Sequence, residues 1–115
     1  MENFEDLISQ VNTHLDDPET LSRLCVKLST YLYFHNTQVS KAELAETKTA
    51  VSLIDAAKEN EGKLSVAEAE KRAVVQTGNQ YGELKLHTDA ITEVINSIKT
   101  RLKVLSLEYE RKEGA

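Results

Sequence analysis

Apolar residues return at steps of three and four along nearly the whole chain, and that period predicts helices from end to end. The first stripe is Phe4, Leu7, Ile8, Val11 and Leu15, which predicts a short helix over 4–15. Asn3 stands where an N-cap is needed, and Glu5 and Asp6 fall in the first turn, where negative charge is favoured.

Asp16-Asp17-Pro18 marks the clearest boundary. Asp17 is suited to cap, and Pro18 to the first helical position, where its missing N–H needs no partner. A second helix then runs over 18–59. Its seam reads Leu21, Cys25, Leu28, Leu32, His35, Val39, Ala42, Glu46, Thr49, Leu53 and Ala56, the alternating four-three rhythm of a packed helical seam. Asn36-Thr37-Gln38 is a polar interruption, and Ser40 with Glu43 offers a capping box that would restart a separate helix. The seam keeps its phase across this patch, which favours one continuous helix.

Residues 60–65 form the expected hairpin turn, with Gly62 near the helix end. Ser65 and Glu68 give a second capping-box signal that opens a third helix over 66–112. Its later seam is Tyr81, Leu84, Thr88, Ile91, Ile95, Ile98, Leu102, Leu105 and Tyr109. Folding the chain back at Gly62 sets position i opposite about 124 − i. Leu32 then falls near Ile91 and Ile95, and Leu21 near Leu102 and Leu105. Ala42 falls opposite Gly82, and Ala45 beside Gly78 and Asn79, so small residues meet and close helix packing is expected there.

The fold class expected is therefore all-α: a short N-terminal helix plus a long antiparallel helical hairpin, coiled-coil-like, in one domain over 1–115. At 1.5 Å per residue the two long helices span about 60 and 70 Å. A hairpin of that length buries one stripe per helix, and small cores contribute little net stability. Packing with further copies into a helical bundle resolves this, so a homodimer or higher oligomer is expected.

Composition agrees. Aromatic residues make up 5% of the 115, charged residues 29%, and there are four glycines and one proline. Such a chain lacks the turn residues of an all-β fold. The net charge of −5 is unevenly placed. Residues 1–20 carry Glu2, Glu5, Asp6, Asp16, Asp17 and Glu19 with no Lys or Arg, whereas between Val94 and Leu107 the charged residues are Lys99, Arg101 and Lys103. Cys25 is the single cysteine, so no internal disulfide is possible. No charged and apolar leader pattern opens the chain, and no apolar run approaches the ~20 residues of a membrane span. A cytoplasmic protein that uses no membrane is the default expectation.

Candidate chemistry is sparse. His35, His87 and Asp89 fall together in the hairpin register, which would suit a divalent cation, but the plainer reading is a seam histidine bonded to a polar neighbour. Cys25 lies between Leu24 and Val26 and reads as a small buried hydrophobe. A glycine-rich phosphate loop, CxxC, GxSxG and paired carboxylates on rigid elements are all missing, so no catalysis and no cofactor are expected. Tyr31, Leu32, Tyr33 and Phe34 go right round a helix, so at least one of Tyr33 and Phe34 faces away from the core. Tyr31, Tyr33 and Phe34, with Glu5 and Asp6 of the acidic first helix, are the candidate protein-contact residues, because exposed aromatics are typical hot spots. Arg23, Lys27, Lys99, Arg101 and Lys103 form the one basic patch and give the alternative, a binder of single-stranded nucleic acid.

One stretch adds a resemblance. Gly62-Lys63-Leu64-Ser65, then Ala67, Ala69 and Ala73, then Tyr81, then the apolar helix ending Ser106-Leu107-Glu108-Tyr109-Glu110, resembles small helical-hairpin accessory proteins of phage and prophage early regions. The resemblance covers about residues 20–110. It implies an accessory role in DNA recombination or replication, or in a conflict with host defence, where the acidic first helix would mimic phosphate charge. It carries over no catalytic or binding residue.

Overall fold

A computed structural model of the protein describes residues 3–60 and 62–114, the side chains of 113 and 114 excepted. Glu2 of the acidic N-terminal run and Glu61 of the expected turn lie outside the described residues. The architecture is all-α. Four helices follow in order, α1 (Phe4–Thr13), α2 (Pro18–Glu59), α3 (Val66–Gln76) and α4 (Gln80–Gly114), with no strand among the described residues.

Local signals place the helix ends. Asn3 caps α1: its side-chain oxygen accepts from the Asp6 N–H at 2.8 Å, and the Asp6 carboxylate accepts from the Asn3 N–H at 3.4 Å, a complete capping box. α1 ends at Thr13, two residues before the stripe predicts. The Thr13 hydroxyl donates to the Ser9 carbonyl and the His14 ring meets the Gln10 carbonyl at 2.8 Å, which satisfies the last carbonyls early. Asp17 opens α2. Its carboxylate accepts from the Thr20 hydroxyl at 2.6 Å and the Thr20 N–H at 3.2 Å, and these bonds hold its pKa below the usual 3.8. α2 runs unbroken through Asn36-Thr37-Gln38 to Glu59. Ser65 caps α3 through the Glu68 N–H at 3.1 Å.

The expected single helix over 66–112 is two helices. α3 stops at Gln76, and Thr77-Gly78-Asn79 turns the chain into α4. The Asn79 N–H donates to the Val74 carbonyl at 2.8 Å and the Gly78 N–H to the Val75 carbonyl at 3.1 Å. That pair of bonds is a Schellman motif, which places its first post-cap residue in the left-handed region. Gly78 is there at φ +67° and Asn79 follows at φ +55°. Glycine carries no Cβ penalty in that region, and asparagine tolerates it better than most residues.

The chain divides into two compact units, Met1–Phe34 with Thr88–Ala115, and His35–His87. The first holds the bulky core. Leu7 and Val11 of α1, Leu21, Leu24 and Leu28 of α2, and Ile91, Ile95 and Ile98 of α4 are buried together. Phe4, Cys25, Tyr31, Leu32, Val94, Leu102 and Leu105 pack around them. Burying a leucine or isoleucine fully stabilises by about 1.5–3 kcal/mol, and Leu21, Leu24, Leu28, Ile91 and Ile98 are all fully buried. α1 therefore closes an apolar stripe that two helices alone would leave wet.

The second unit has a thinner core. Ala50 of α2 packs with Ala69 and Ala73 of α3, flanked by half-buried Leu53, Ile54 and Leu64. Small side chains bring helices close but remove little apolar area from water, so this unit rests on less burial than the first.

Candidate protein-contact surfaces

The aromatic run of α2 divides between core and surface. Tyr31 lies three residues after Leu28 and seven after Leu24, on the core face. It is half-buried and stacks on Phe4 of α1, centroids 6.2 Å apart and planes 10° apart. Its ring thus packs against the core and α1, on a different side of α2 from Tyr33 and Phe34. Tyr33 and Phe34 do reach the surface. They are 71% and 58% exposed and meet edge to face at 6.0 Å.

Val26, 67% exposed, extends the same surface. At 100° per residue, Val26, Thr30 and Tyr33 lie on one face of α2, roughly opposite Leu21, Leu24 and Leu28. A shallow groove of about 450 Å³ runs there, lined by Cys25, Val26, Ser29, Thr30, Tyr33 and Phe34. The Ser29 hydroxyl donates back to the Cys25 carbonyl at 2.8 Å, and that of Thr30 to the Val26 carbonyl at 3.0 Å. Both hydroxyls are satisfied within the helix, so the surface they present is more apolar than its composition. Sequence reasoning missed Val26. The signal was a second four-three spacing, Val26, Thr30 and Tyr33, one face round from the core seam.

The acidic candidates on α1 differ in their engagement. Glu5 is exposed, while Asp6 is held in the capping box. Of the basic candidates, Arg101 is engaged inside its own unit. It donates to the Leu15 carbonyl at 2.8 Å and pairs with Asp16, pinning the corner between α1 and α2. Arg23 reaches the Thr20 hydroxyl at 3.5 Å, and Lys27, Lys99 and Lys103 are exposed.

The small residues expected to pinch two helices together do not share one setting. Ala42 is buried, but Ala45 is exposed. A Cβ on Gly78 would meet nothing within 4 Å, so that glycine serves the turn rather than a contact. At Gly82 the close neighbour is the side-chain amide of Asn79, from the turn that precedes it. The break between α3 and α4 is the physical reason: it takes Gly78 out of any helix face.

His35 and His87 do come together, ring centroids 4.7 Å apart at 63°. Burial, and then the charge of His87, hold the His35 pKa below 6.5. Among the described residues no group of three or more His, Cys, Asp or Glu side chains is placed to hold a metal ion. Among the described residues, no helix is long and apolar enough to cross a membrane.

A larger groove, about 710 Å³, opens in the His35–His87 unit between α2 and α3. Ala50, Ile54, Val66 and Val74 are among its apolar lining residues, and Glu43, Glu46, Glu70 and Lys71 among its charged ones. The heptad reading placed Glu46 on the seam without seeing that a groove forms beside it. No protein-family model matches the chain, and no match is found among curated proteins or solved structures.

Proposed function

We propose that the chain is a non-catalytic helical module which works as an oligomer through protein–protein contact. The carrying observation is the Val26, Tyr33 and Phe34 surface of α2, apolar and exposed on the side turned from the core. Single exposed apolar residues are ordinary. Two aromatics in contact beside a valine, with the intervening hydroxyls turned back onto the helix, form an anchor of the kind that carries most of an interface's energy. The resemblance to phage early-region helical proteins supports DNA recombination or replication as the setting for that contact.

The nucleic-acid reading is less well supported, because Arg101 is engaged with Asp16 and Leu15 and Arg23 with Thr20. The test is a double variant, Tyr33→Ala with Phe34→Ala. It keeps the helical circular dichroism and unfolding midpoint of the wild type and loses binding to a partner that the wild type retains. Undiminished binding by the folded variant contradicts the proposal.

A further inference from the structure

We propose that the groove of the His35–His87 unit seats the outer face of α4, residues 99–111, from a second copy of this chain. This rests on the reading of the protein as an assembly, and it names the surfaces that build it.

The groove is lined by apolar side chains and by more acidic than basic ones. Ala50, Ile54, Val66 and Val74 line it, and three carboxylates, Glu43, Glu46 and Glu70, face one ammonium, Lys71. One oxygen of Glu46, Oε2, is withdrawn from water and has no hydrogen-bond partner. A buried acceptor in that state lowers stability until a donor reaches it, and a cationic donor satisfies it best. The fitting occupant is therefore an apolar helix face bordered by Lys and Arg, the helix-in-groove mode of recognition.

The chain carries such a face. On α4, Lys99, Lys103, Leu107 and Arg111 follow at steps of four, with Val104 beside Leu107. At 100° per residue Leu107 and Arg111 lie opposite Ile91, Ile95 and Ile98, which are buried in the core of the other unit, with Lys103 and Lys99 on the flank between. Val104 and Leu107 are exposed. Glu110 lies within the stripe and Glu108 beyond Val104, so Lys99, Lys103 and Arg111 outnumber the acids on this face. One contact would cover both apolar surfaces and bring a donor to Glu46.

Complementary charge reversal tests this. One variant carries Glu46→Lys with Glu70→Lys, the other Lys103→Glu with Arg111→Glu, both in the full chain. Circular dichroism and urea midpoints establish that each folds. Light scattering is expected to show the wild type above 12.9 kDa, the mass of one chain, and each variant alone at that mass. Their equimolar mixture regains the wild-type mass, because each groove then meets a tail of opposite sign. An associated wild type whose mass neither variant lowers, or a mixture that stays at the single-chain mass, overturns the groove contact and leaves the assembly standing. A wild type that is itself a single chain overturns both.

Discussion

His35 on α2 and His87 on α4 meet edge to face, their ring centroids 4.7 Å apart. Burial and the neighbouring imidazole disfavour a proton on His35, so its folded pKa lies below 6.5. Between those two values the unfolded chain binds the proton more readily than the folded one. The stabilising contribution is present above pH 6.5 and is lost as the pH falls through the lower folded value. Urea midpoints are expected to drop between about pH 7.5 and about pH 5.5, and His35→Phe to flatten that part of the drop. Equal pH dependence in wild type and variant would remove His35 as its source.

The Schellman turn gives a backbone prediction. Gly78 sits at φ +67° in open space, so an added methyl meets no neighbour and the effect is conformational alone. Gly78→Ala is expected to lower stability by about 1–2 kcal/mol. The change is read as a lower urea midpoint at an unchanged m value. A neutral outcome would mean that the turn is not held in the left-handed region.

Core and surface on α2 separate by substitution. Leu28 is fully buried, and Leu28→Ala is expected to cost about 2–5 kcal/mol. Tyr33→Ala and Phe34→Ala act on exposed side chains and are expected to stay within about 0.5 kcal/mol of the wild type when the protein is dilute. Thermal or urea unfolding of the three variants gives the comparison. A large loss at Tyr33 would place that ring in the core instead of on a contact surface.

Much of this was legible from residue spacing. The caps at Asn3, Asp17 and Ser65, the unbroken α2 and the meeting of His35 with His87 all follow from local chemistry and a heptad register. The break at Gly78 was not, because one glycine in a helical pattern costs only about 1 kcal/mol relative to alanine and reads as tolerable. The informative unit was the pair Gly78-Asn79, two residues at ease in the left-handed region. The run Tyr31-Leu32-Tyr33-Phe34 goes right round the helix, so spacing alone sends Tyr31 or Leu32 inward without choosing between them. Tyr31 shares the phase of Leu24 and Leu28 and packs against the core. The groove beside Glu46 depends on how α3 lies on α2, which no stripe on one helix records.

Arg101 fixes the corner where α1 meets α2, through the Leu15 carbonyl and Asp16. Arg101→Ala is expected to lower stability by about 1 kcal/mol, with faster proteolysis near residues 14–17. Lysine is not expected to restore it, since one ammonium does not reproduce the forked geometry of the guanidinium. A variant unchanged in stability but altered in DNA binding would favour the nucleic-acid reading.

In the proposed assembly, helix surfaces hold copies of this chain together. Light scattering coupled to size exclusion, run over a wide concentration range, measures that directly. The expected result is a mass that is a multiple of 12.9 kDa and falls toward one chain on dilution. A mass of one chain at every concentration, in a protein that remains stably folded, would contradict it.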